Sequence, residues 1–174
     1  MLEATRCYTC RVRLNELLFF VAWYDGNPDG FLCAASGDLL VAETLHALEA
    51  AARAAGVTPV AEEPADYDFD RIRTWCASPE ATRVDCKSLL DAWNFFDDMA
   101  GLHGGADTPY TRLSRAAAGC YDKVFWGSNV PAVTPAGERF IPSWEPAQLD
   151  SIRAVMGAGL ELVQAEWSGS RGNP

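Results

Sequence analysis

The segment from Asp85 to Ala100 constrains the fold more than any other part of the chain. Leu89, Trp93, Phe96 and Ala100 recur at helical spacing, and Phe95, Met99 and Leu102 widen the apolar stripe they make. Lys87, Asp91, Asn94 and Asp98 repeat at the same period on the opposite side. Asp85 stands where an N-cap belongs, since its carboxylate can accept from the free amides of a first turn. The spacing predicts an amphipathic helix with an aromatic seam and an acidic outer face. A seam that wide needs other elements to cover it, so the chain must build a layered core. Nothing in the pattern names a reaction.

With 174 residues the chain reads as a single α+β domain over residues 1–167, followed by a disordered tail over 168–174. A chain of this size buries roughly 70% of its unfolded surface, so neither a metal nor a disulfide is required for stability. Its 24 acidic and 14 basic residues give a formal charge of −10. That field repels phosphate backbones and anionic lipid, which argues against nucleic acid and membrane surfaces and in favour of a basic protein partner. Met1 to Arg6 contains no apolar stretch of the secretory type, and the run Leu17–Tyr24 is too short to span a bilayer. The six cysteines then read as reduced thiols, and the expected location is the cytoplasm.

Along the chain, Tyr8, Cys10, Val12 and Leu14 alternate with Cys7, Thr9, Arg11 and Arg13. This is a half-buried strand whose outer face carries two arginines. Leu17–Tyr24 reads as a central strand, with a helix from Asn15 as the alternative. A dense turn follows from Asp25 to Gly30, and Phe31–Ala35 and Leu39–Ala42 flank Ser36-Gly37-Asp38 as a hairpin. A helix over Thr44–Ala55, with Leu45, Leu48 and Ala52 inward, stops at Gly56, and Val57–Ala61 suggests one more short strand. The N-terminal half is thus expected to be a small, mostly antiparallel sheet with a helix packed on one face. The C-terminal half reads as helical. It has a short helix near Phe69–Cys76, the Asp85 helix ending at His103-Gly104-Gly105, and a stripe through Tyr110, Leu113, Ala117, Cys120 and Val124. After a Pro-punctuated loop over Asn129–Ser143, with a turn at Pro135-Ala136-Gly137, comes a last helix through Leu149, Ile152, Met156, Leu160, Val163 and Trp167. Gly157 and Gly159 inside that helix imply a close neighbour.

Candidate chemistry is sparse. Cys7-x-x-Cys10 is half a zinc motif, to which Cys76 and Cys86 could add thiolates, but strand residues three apart face opposite ways. Asp66-x-Asp68-x-Asp70 opens like a calcium loop, yet Arg71 replaces the required Gly and Ala77 the bidentate Glu. No nucleophile elbow or phosphate-binding glycine loop occurs, and His46 reads as a surface residue beside Glu49 and Arg53. No catalytic residue, metal ligand or cofactor is therefore assigned. A small metal-dependent enzyme using Asp91, Asp98 and His103, and a structural subunit exposing the 129–143 loop, are the alternatives to a binding protein.

Two acidic surfaces suit a cationic partner. Glu62, Glu63, Asp66 and Asp68 surround Tyr67 at an exposed junction, and Asp91, Asn94 and Asp98 line the outer face of the Asp85 helix. The stretch from Leu39 to Ile72, with Glu43-Thr44-Leu45, Gly56 and Tyr67-Asp68-Phe69-Asp70-Arg71-Ile72, resembles small acidic bacterial immunity-type proteins. The resemblance implies a non-catalytic inhibitor that covers the active site of a basic toxin.

Overall fold

The computed structural model of the protein describes residues 6–26, 29–102 and 107–171. Asn27-Pro28 of the expected turn, the His103-Gly104-Gly105 helix stop and residues 172–174 of the expected tail lie outside the described residues. The fold is α+β, with a mixed five-stranded sheet and a helical C-terminal half. It divides into two compact units, one formed by residues up to Asp70 together with those from Val163 onward, the other by Arg71–Leu162.

In the first unit, β1 (Arg6–Leu14) and β2 (Leu17–Asp25) pair antiparallel from Arg6 opposite Asp25 to Leu14 opposite Leu17. Asn15 and Glu16 between them have φ of 53° and 62°. Two successive positive φ values make the tight turn whose twist matches a hairpin. They also forbid a helix starting at Asn15, so Leu17–Tyr24 is a strand. β3 (Gly30–Phe31) pairs with the far end of β2. The expected hairpin over 31–42 is sparse: Cys33 bridges Leu39, and the Ala34 amide donates to the Asp38 carbonyl at 2.8 Å.

α1 (Leu45–Ala54) is capped by Thr44, whose hydroxyl accepts from the Ala47 amide at 3.2 Å, and Gly56 at φ 79° turns the chain out of it. This crossover returns the chain parallel to β1. β4 (Thr58–Pro59) and then β5 (Ala65–Asp68) both pair with β1 in parallel. The sheet is therefore mixed rather than mostly antiparallel. Alternation puts Cys7 on one face with Phe20 and Ala22, where they pack with Leu48 and Ala52 of α1 and with Leu32. On the other face Phe19 stacks on Trp167 at 4.6 Å. Cys7 and Cys10, on opposite faces of β1, are both buried.

α2 (Phe69–Ala77) follows β5 directly. In the second unit α3 (Cys86–Gly101) matches the amphipathic expectation, with Leu89, Trp93, Phe95, Phe96, Met99 and Ala100 buried. The Asp85 carboxylate caps it, accepting from the Ser88 amide at 3.1 Å and the Ser88 hydroxyl at 2.8 Å. The Tyr110–Val124 stripe is two helices rather than one, α4 (Pro109–Ala116) and α5 (Ala118–Gly127). Ala117, at φ −99° and ψ 18°, leaves helical geometry beside Gly119, where a bend costs least. α6 (Pro146–Arg171) carries the last stripe, and it runs through residues 168–171, which the sequence assigns to a tail. Ser168 bonds back to the Gln164 carbonyl at 2.8 Å. A Cβ on Gly159 would enter the Phe96 ring, which explains that glycine; Gly157 meets open space, and no close neighbour explains it.

Candidate functional site

α1 covers only one end of its sheet face. At the other end Arg11 and Arg13 of β1 project between Phe20 and Leu18 of β2 on one side and Asp66 and Asp68 of β5 on the other. Arg11, Arg13, Leu18, Asp66, Tyr67 and Asp68 line an open cleft of about 410 Å3. Arg11 forks onto Asp66, with Nε to Oδ1 at 2.5 Å and the second nitrogen to Oδ2 at 2.7 Å. That bond holds the Asp66 carboxyl below its ordinary value, with the Arg11 and Arg13 charges acting the same way. Both partners stay solvated, the Arg11 side chain 41% and the Asp66 side chain 64% exposed. The pair therefore fixes register and charge placement more than it stabilises the fold. Leu18, 43% exposed, adds apolar surface beside Arg13.

The structure thus brings Asp66, Tyr67 and Asp68 together on one short strand. Asp66 and Asp68 face the cleft and Arg13, while Tyr67 points to the other face, its ring 6.0 Å from Phe69. Glu62 and Glu63 are exposed just before this strand, and Glu63 adds to the field on Arg11. The exposed junction is therefore a sheet strand with an acidic lead-in. Asp66 is engaged by Arg11, and Asp70 accepts from the Asn15 and Glu16 amides at 2.7 and 2.8 Å. The aspartates of the calcium-like spacing thus diverge to separate tasks.

Asp91, Asn94 and Asp98 belong to the other unit, and α4 and α5 use part of that helix face. Lys87 donates to Asp91 at 2.7 Å, and the Tyr121 hydroxyl donates to Asn94 at 2.9 Å. Asp98 is half-buried. Sequence reasoning missed Asp97, which accepts from the Tyr110 hydroxyl at 2.7 Å and from Ser114 at 3.3 Å, while Trp93 donates to Ser114 at 2.9 Å. Burial of the Asp97 side that meets these groups lifts its carboxyl above the ordinary value, against the pull of the two bonds. Burial and the Asp97 bond push the Tyr110 phenol up as well. The cluster joins α3 to α4.

The loop after α5 is held in a way the sequence does not advertise. Asn129, at φ 52°, accepts from the Phe140 amide at 2.7 Å and donates to the Phe140 carbonyl at 3.0 Å. Glu138 closes on Pro135 around Gly137 at φ 84°, the expected turn. Trp126, Val133, Phe140 and Ile141 stay exposed. The first three of these, with Asn129 and Pro135, border a second concavity of about 220 Å3.

The six cysteines are free. Burial raises the thiols of Cys7, Cys33, Cys86 and Cys120, and that of Cys76 to about 11. Among the described residues no three His, Cys, Asp or Glu side chains are placed to hold a metal ion, and no helix is long and apolar enough to cross a membrane. His103 lies outside the described residues. Compared with known proteins, the chain matches no family model, no curated protein and no solved structure.

Proposed function

We propose that the chain is a non-catalytic binding protein that docks a basic protein along its acidic lead-in and β5, acting in the cytoplasm as an immunity- or antitoxin-like inhibitor. The observation that carries this reading is the placement of Glu62, Glu63, Asp66 and Asp68. All four are exposed on and before strand β5, on a chain of net charge −10. Asp66 and Asp68 stand on a sheet strand, so a cationic partner meets these two carboxylates on an ordered backbone. Arg11 moderates the patch at Asp66, and exposed Glu62 and Glu63 extend the acidic surface ahead of the strand. Exposed Leu18 borders these charges with apolar area that a partner can desolvate.

The acidic face of α3 is the weaker of the two surfaces, since Lys87 and Tyr121 already engage Asp91 and Asn94. Charge reversal separates them. Asp68→Lys is expected to weaken partner binding and its salt dependence, whereas Asp98→Lys is expected to change either far less. Equal effects of the two substitutions, or none from Asp68→Lys, contradict the assignment.

A further inference from the structure

We propose that the bare end of the sheet face is a self-complementary contact on which a second copy of this chain docks, about a two-fold axis parallel to the strands. Two columns of opposite charge carry the inference. Arg11 and Arg13 stand on β1, and Asp66 and Asp68 stand directly opposite them on β5, all on one face. The columns are one strand spacing apart, about 4.8 Å. An axis in the contact plane, midway between β1 and β5 and parallel to them, exchanges the columns without any shift along the strands. Arg11 then lies over the partner's Asp66 and Arg13 over the partner's Asp68, with the reciprocal pairs formed by the same operation. Such a contact is closed and isologous. The perpendicular axis would set arginine over arginine, and like charges in contact exclude it.

Local charge balance permits this contact despite the overall charge. At −10 the chain repels its own copy, but two arginines facing two aspartates sum to zero locally. Asp66 gives each oxygen one bond from Arg11, and an ionised carboxylate has acceptor sites left for a second guanidinium. The open cleft leaves room for those head groups, and exposed Leu18 contributes apolar area at the border. This contact does not depend on the basic-partner reading. It shares Asp66 and Asp68 with that reading but leaves Glu62 and Glu63 out.

The test is sedimentation equilibrium of the full chain over a concentration series at about 0.15 M ionic strength. The wild type is expected to show a monomer–dimer equilibrium. Arg13→Asp and Asp68→Arg should each weaken association by at least about tenfold, because every reversed charge meets its like twice across the axis. An equimolar mixture of these two variants should regain association. Each chain in the mixture still carries its own internal mismatch, so the recovery can come only from across the contact. If Asp68→Arg loses the native circular dichroism spectrum, Arg11→Asp and Asp66→Arg are mixed instead. Glu62→Lys should dimerise like the wild type, which separates this contact from partner binding. A wild type that stays monomeric, or a mixture that associates no better than its components, overturns the proposal.

Discussion

Asp70, the second residue of α2, holds the β1–β2 turn: its Oδ1 accepts from the Asn15 amide at 2.7 Å and its Oδ2 from the Glu16 amide at 2.8 Å. Glu16 sits at φ 62°, where a side chain other than glycine or asparagine is strained, and Asn15 also donates to Gln164 of α6. The carboxylate satisfies the two turn amides and offsets that strain. Asp70→Ala should lower unfolding free energy by about 1–3 kcal/mol in urea titrations. Glu16→Gly in the same chain should return part of the loss, because glycine takes this φ without strain. No loss in the single variant would show that the turn holds itself.

The two glycines inside α6 should respond in opposite directions. Gly157 has open space around it, so Gly157→Ala should stabilise by about 0.5–1 kcal/mol through helix propensity alone. Gly159→Ala drives a methyl into the Phe96 ring and should cost about 1–3 kcal/mol. Thermal melts of both variants check this, and shifts of the same sign would contradict the packing of α6 against Phe96.

Asp85, the N-cap of α3, and Asp97, about three turns along it, should give pH dependences of opposite sign. Burial acts to raise the Asp85 carboxyl, but the Ser88 amide and hydroxyl and the Arg71 charge outweigh it and bring it below the ordinary 3.8. Its stabilisation is fully present above 3.8 and is lost as pH falls through the lower folded value. Burial raises Asp97 above 3.8, so its charged form costs stability above the raised value, and that cost is relieved as pH falls toward 3.8. Wild type should therefore gain on Asp97→Asn as pH falls toward 3.8, and should lose its advantage over Asp85→Asn as pH falls below that value. Urea titrations of the three proteins across this range decide it. Parallel curves would contradict both environments.

Local periodicity made much of the fold legible. The α3 seam, the Asp85 cap, the Gly56 stop and the Gly159 contact are short-range patterns, and the sequence carries them openly. Long-range pairing was not legible. Ala65–Asp68 is polar and follows Pro64, so it reads as a linker, and only its parallel partner β1 makes it a strand. Arg11 and Arg13 were visible as an alternating pair, but their opposition to Asp66 and Asp68 depends on a crossover register that no local spacing encodes. The bend at Ala117 was hidden because its apolar stripe continues at nearly the same period across two helices. Asp97 escaped notice because its partners Tyr110 and Ser114 lie on another helix.

The most direct test of the binding reading is affinity capture from the source organism's lysate, with two baits compared across a salt series: the wild type and a Glu62→Lys, Glu63→Lys chain. Intact mass and stoichiometry are read on whatever elutes. One basic protein is expected to be held stoichiometrically by the wild type, released by high salt and absent from the charge-reversed bait. The same proteins on both baits, or no stoichiometric basic protein on the wild type at low salt, would contradict it.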